Sequence, residues 1–136
     1  NQFNLTTKRY TESNISKFCE NKNYHVFYLS VEDNIGDYAI VGVFIGKTTK
    51  EKKIIIDTFL MSCRVIGRKI ENAFLSYIIN YFSGKGFIKI EGKFIPSRRN
   101  DLVRNFYKEL QFKNIDNLWV LNLPNHIQTP PWIKLN

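Results

Sequence analysis

The sequence predicts a single α/β domain, of the α+β kind, in which a mixed and mostly antiparallel sheet is flanked by helices. Two observations carry this. Runs rich in β-branched and aromatic residues recur between turn-forming residues from Tyr24 to Met61, the pattern of antiparallel strands. Further on, strand-like and helix-like segments alternate, which reads as a βαβ-like unit and places a parallel pair within the sheet. With 136 residues the chain is long enough to bury a core and short for two domains.

The elements follow in order. Residues 3–8 read as a strand, and Thr11 caps a helix with Ile15, Phe18 and Cys19 on its buried face. Residues 24–31 form the next strand. Asp33-Asn34-Ile35-Gly36-Asp37 is turn chemistry, and residues 39–46 return as the second arm of a hairpin. After a turn over 48–52, residues 53–61 (KIIIDTFLM) make a strand that runs directly into a helix over 66–83, with Ile70, Ala73, Phe74, Tyr77, Ile78 and Tyr81 at helical spacing. Gly84-Lys85-Gly86 stops that helix. Strand 87–95, helix 100–110 and strand 117–123 complete the order, with a short strand expected over 132–135 after Pro130-Pro131.

Composition narrows the function classes. No apolar run is long enough to span a membrane and no signal-peptide order is present, so a cytoplasmic location is the default expectation. Cys19 and Cys63 lie far apart without paired spacing, and His25 and His126 form no ligand cluster, which argues against a disulfide framework or a metal site. The formal charge of +8 suits an acidic or phosphorylated partner. The basic residues are scattered, with only Lys50–Lys53 and Arg98-Arg99 grouped, so nucleic acid is the weaker candidate and an acidic protein fits the same charge.

The junction Ser62-Cys63-Arg64-Val65-Ile66-Gly67-Arg68-Lys69 is the place where chemistry is expected. The first backbone N–H groups of a helix lack intrahelical acceptors and sit at the positive end of its dipole, so they can hold a phosphate. The N–H groups of Val65, Ile66, Gly67, Arg68 and Lys69, with the guanidinium of Arg64 or Arg68, are the candidate phosphate contacts. In the alternative, Gly67 only packs the helix on the sheet and the arginines are solvated.

The spacing Arg64-x-x-Gly67-x-Lys69 resembles the acyl-coenzyme A signature of the GNAT acyltransferase superfamily, Arg-x-x-Gly-x-(Gly or Ala), with Lys69 in place of the small residue. Asn100 to Phe112 resembles the later superfamily segment, in which an Asn opens a helix and a Tyr, here Tyr107, precedes a Gly-Phe, with Gln111 in place of that Gly. Longer strings resemble the C-terminal GNAT-like domain of FkbH-like proteins: Asn1 to Thr7, Asp33 to Asp37, Asp57 to Arg68 and Ile95 to Asn100. In that family a phosphatase-like domain of the HAD superfamily (subfamily IIIC) precedes this one, and the whole protein loads a glyceryl unit onto the phosphopantetheine arm of an acyl carrier protein. The absence of an initiator Met and the strand at the very start predict that residues 1–136 are excised from such a protein.

The resemblance implies coenzyme A or a carrier's phosphopantetheine arm as the thing bound, without a metal. The partners it implies are an acyl carrier protein and the HAD-type domain of the same full-length chain. It further implies Tyr107 as the general acid that protonates the departing thiolate, with Asn100 contacting the pantetheine or coenzyme. Read from sequence alone, Tyr107 also fits the apolar stripe of Leu102, Val103, Phe106 and Leu110, and Asn100 is a good N-cap. Asp57 and Glu91 each interrupt an apolar strand, and a partly buried carboxylate there could deprotonate an acceptor or simply pair with a neighbouring cation. Cys63, at the positive end of a helix, could accept an acyl group transiently or be a small buried hydrophobe. Backbone donors on the strand ending near Met61 would stabilise the oxyanion. Two readings remain: an enzyme that promotes acyl transfer, or a module that grips the carrier arm for the phosphatase-like domain.

Overall fold

The computed structural model describes residues 3–4, 12–32, 36, 38–62, 65, 69–94 and 106–126. Within these, the elements are β1 (Phe3–Asn4), α1 (Glu12–Glu20), β2 (Tyr24–Glu32), β3 (Tyr38–Thr48), β4 (Lys53–Met61), α2 (Ile70–Ser83), β5 (Lys89–Gly92), α3 (Phe106–Glu109), β6 (Lys113–Ile115) and β7 (Leu118–Asn122). The strands form one mixed sheet in the order β2-β3-β4-β5-β7-β6, with β1 added against β4. Among the described residues only β4 and β5 run parallel, joined by α2 as crossover.

The predicted sheet class holds, and β4 has the bounds expected from its sequence. β3 extends to Thr48 because its ladder with β4 continues to the Thr48–Ile54 pair. Other expectations need correction. α2 begins at Ile70, not at 66, because Lys69 sits in the left-handed region (φ 63°) and so cannot belong to the helix. β5 is shorter than the expected 87–95, since Phe87 is used to close α2: its N–H donates to the Phe82 carbonyl (3.4 Å) after Gly86 turns left-handed (φ 86°), and their rings meet at 5.3 Å. β6 was not expected at all. It joins β7 through Asp116 and Asn117, both at positive φ (52° and 68°), a two-residue hairpin turn. On α1, Cys19 is exposed and Phe18 is half-buried against Tyr24 (4.7 Å). The Thr11 cap, most of strand 3–8, helix residues 100–105 and strand 132–135 lie outside the described residues.

α2 presents Phe74, Leu75, Ile78, Ile79 and Phe82 to one face of the sheet, at the i, i+4, i+8 spacing of a single stripe. Opposite them lie Phe44, Ile54, Ile56, Phe59, Met61 and Ile90, all fully or almost fully buried. In β4 the buried positions change parity, from Ile54 and Ile56 to Phe59 and Met61. The β3 register explains it: Ile45 pairs Thr58 and Gly46 pairs Ile56, leaving Asp57 as the extra residue of a β-bulge. The bulge lets both halves of β4 face the same core. Among the described residues no helix is long and apolar enough to cross a membrane.

Candidate functional site

The first part of the site is the entry to α2. After β4, the Ser62 N–H donates to the Val41 carbonyl (2.7 Å) and the Val65 N–H donates to the Ser62 carbonyl (3.2 Å), so the chain turns sharply under the sheet's end. Val65 is itself buried in the core. Its N–H is therefore spent inside the protein, which corrects its assignment as a phosphate donor. The Ala73 N–H donates to the Lys69 carbonyl (3.0 Å), so the N–H groups of Ile70, Glu71 and Asn72 are those that precede the first intrahelical bond. Of the other candidates at this turn, Cys63, Arg64, Ile66, Gly67 and Arg68 lie outside the described residues.

Lys69 holds the position where the resembled signature has Gly or Ala, and its left-handed backbone is one that glycine adopts freely. Its ammonium lies 3.7 Å from Glu109 Oε2, and both side chains are about half exposed, an ion pair that contributes little to stability. One residue into the helix, Glu71 is buried, and its Oε2 has no hydrogen-bond partner among the described residues. A carboxylate in the first helical turn interacts well with the dipole, and a buried acceptor of this kind suits a donor on a ligand or a bound water. Glu71 carries no signal in the sequence, since it lies off the apolar spacing of Ile70, Ala73, Phe74, Tyr77, Ile78 and Tyr81.

The second part is Tyr107. α3 ends in a two-bond cap: the Phe112 N–H donates to the Tyr107 carbonyl and the Gln111 N–H to the Lys108 carbonyl (both 3.1 Å), with Gln111 left-handed (φ 70°). The cap's apolar contact is Tyr107 against Phe112, 5.1 Å between ring centroids. This fixes the Tyr107 ring, which also stacks on Trp119 (6.1 Å, 24°) and is fully buried. Its hydroxyl donates to the Lys93 carbonyl at 3.4 Å, a long bond, and burial pushes the phenol well above its ordinary range. The group is a protonated donor at every physiological pH. Asn100 lies outside the described residues.

The third part is the carboxylate pair. Asp57 occupies the bulge, and its Oδ2 accepts a hydrogen bond from the buried Thr58 hydroxyl (2.8 Å). Glu91 lies 3.7 Å from the Lys53 ammonium, the pairing that its sequence context left open. Alternation along β5 places Glu91 on the face opposite Ile90 and Gly92, and Tyr107 lies on the Gly92 face. The phenol and the Glu91 carboxylate thus flank β5 from its two sides. The β4–β5 ladder covers residues 53–55 of β4, and β1 pairs with residues 60–61, so the bulge falls between the two ladders. At Leu60 and Met61 strands lie on both edges of β4, which leaves that stretch of backbone engaged in the sheet and away from the oxyanion role expected of it.

Beside Lys93, a surface cavity of about 490 Å³ is lined by Lys93, Phe94, Asp116, Asn117 and Leu118. Sequence reading missed it, although the Asp116-Asn117 pair was a hairpin-turn signal. The arrangement as a whole offers an α2 N-terminus without a side-chain cap bond among the described residues, a buried phenol at the end of β5, and the Glu91 carboxylate on the opposite face of that strand.

No family model matches the chain, and no curated protein matches it in sequence. Solved structures do. Arabidopsis thaliana NAA60 in complex with a bisubstrate analogue aligns with a TM-score of 0.69 at 14% identity, over 88% of this chain and 87% of that one. An acetyltransferase of the GNAT family from Staphylococcus aureus aligns at 0.64 and 15% identity, over 81% and 74%. The ribosomal-protein alanine N-acetyltransferase of Escherichia coli aligns at 0.63 and 12%, over 96% and 86%. The chain has the fold of the GNAT acetyltransferases.

Proposed function

We propose that this chain is an acyltransferase domain that takes an acyl group from a phosphopantetheine thioester, on coenzyme A or a carrier protein, and passes it to an acceptor by direct attack. The observation that supports it most is the placing of the Tyr107 hydroxyl at Gly92, just past the β4–β5 ladder, with Glu91 on the other face of the same strand and the Asp57 bulge further along β4. The α2 N–H groups and Lys69 suit a single phosphate of the ligand. The thioester, when bound, supplies the acyl carbon. In this reading a carboxylate, Asp57 or Glu91, takes the acceptor's proton as the new bond to carbon forms and the C–S bond breaks. Tyr107 gives its proton to the departing sulfur, which leaves as the thiol, and the buried phenol is reprotonated once departure of the thiol lets water reach it. The finer reading follows from the FkbH-like strings: the carrier is an acyl carrier protein, the unit is glyceryl, and a HAD-type domain of a longer chain works alongside.

Calorimetry with coenzyme A and with a phosphopantetheinylated carrier protein tests the binding. Saturable binding of at least one at sub-millimolar concentration is expected, and binding of neither removes the proposal. A second reading has one observation in its favour. The complete burial of Tyr107, with its hydroxyl already bonded to Lys93, suits a docking module whose phenol is structural. Tyr107→Phe separates the two: loss of a general acid lowers the rate by on the order of a hundredfold with binding almost intact, whereas a docking module keeps its full rate of carrier loading.

A further inference from the structure

We infer that Gly92 is the positioning residue for Tyr107: it is glycine because the phenol occupies the space that a side chain at position 92 would fill. The inference rests on the reading of Tyr107 as the acid, and its structural half stands without it. A Cβ built on Gly92 collides with the Tyr107 hydroxyl oxygen and comes within 2.7 Å of Cζ and 3.1 Å of Cε1. All three atoms belong to one rigid ring. That ring cannot retreat easily, because Phe112 (5.1 Å), Phe106 (6.1 Å) and Trp119 (6.1 Å) hold its other sides. Backbone conformation gives no other reason for the glycine. Gly92 pairs with Trp119 in an ordinary strand ladder and has no positive φ, so any residue could adopt its backbone.

Two other strand glycines show the contrast. At Gly42 the nearest atom is the Met61 sulfur (2.7 Å), the far end of a flexible side chain, and at Gly46 it is the Phe44 ring edge (2.8 Å) followed by Ile54. Only at Gly92 are all three nearest atoms those of a proposed catalytic group. The glycine lets the hydroxyl lie across β5 onto the Lys93 carbonyl, at the end of the β4–β5 ladder. A methyl group there forces the phenol off this position, and with it the proton that the acid would deliver.

The test compares Gly92→Ala, Tyr107→Phe, Tyr107→Leu and the doubles in the full chain. Gly92→Ala is expected to lower the urea midpoint, and to lower it far less in the Tyr107→Leu background, where the obstructing ring is gone. In spectrophotometric titration Gly92→Ala moves one tyrosine's ionisation back toward pH 10. In acyl transfer, Gly92→Ala lowers kcat about as much as Tyr107→Phe, on the order of a hundredfold, with KM little changed, and the double is no slower than either single. Should Gly92→Ala fail to fold, recovery of folding in Gly92→Ala/Tyr107→Leu supports the inference and no recovery overturns it. Equal midpoint losses in both backgrounds, or an unchanged tyrosine titration, also overturn it. If the unmodified chain transfers no acyl group, the proposed function falls, while the urea comparison and the titration still decide the role of Gly92.

Discussion

At the scale of single residues, the two departures from the resembled GNAT patterns prove to share one backbone feature. Lys69 and Gln111 stand where those patterns have a small residue or Gly, and both have left-handed φ (63° and 70°). Each carries a side chain in a conformation that costs an L-residue roughly 1–2 kcal/mol relative to glycine. The path of the chain is kept and only strain is added. Gln111→Gly is therefore expected to stabilise the domain by on the order of 1 kcal/mol, because the α3 cap it completes is already glycine's geometry and glycine's own flexibility offsets only part of the gain. Urea denaturation checks it, and a loss of stability would show that the Gln111 side chain makes a contact worth more than the strain. Glycine adopts the same backbone freely at both positions, so neither departure by itself argues against the enzymatic reading.

At the scale of elements, β2 is an edge strand whose one face is sealed by aromatic contacts to α2. His25 takes part, with its ring edge-on to Phe82 (5.3 Å) and Phe87 (6.2 Å), and burial lowers its pKa from the ordinary 6.5. A histidine held neutral in the fold binds fewer protons than in the unfolded chain as the pH falls. Its contribution to stability is complete above pH 6.5 and is lost as pH falls below that value toward the lowered pKa of the folded state. Measured stability should decline from about pH 6.5 downward, before carboxylates begin to titrate, and His25→Phe should flatten that first decline. A slope unchanged in the variant would place the titrating group elsewhere.

For the molecule as a whole, the formal charge of +8 bears on which thioester carrier is preferred. An acidic carrier protein, if it is the partner as proposed, would meet many of these charges at once, whereas coenzyme A would meet only those near its phosphates. Affinity for the carrier should therefore fall more steeply between low and physiological salt than affinity for coenzyme A. Parallel slopes in calorimetry at three ionic strengths would mean that the protein surface makes no use of the charge in carrier binding, and would count against the carrier-loading reading.

Much of this architecture could be read from the amino acids, because the information was local. The bounds of β4, the stop of α2 at Gly84-Lys85-Gly86 and the strand-to-helix order follow from propensity, periodicity and capping chemistry that act within a few residues. Candidate residues were legible to the same depth: Tyr107 and Glu91 were found as residue types in a pattern, with their duller roles beside them. Only the tertiary structure decided what each touches. The pairing of β1 with the far end of β4, the bulge at Asp57 that switches the buried face and the fit of Tyr107 over Gly92 are all contacts between distant segments. Periodicity encodes that a face is buried, but not which neighbour buries it, since ladder partners and packing partners are selected by the shape of the assembled core.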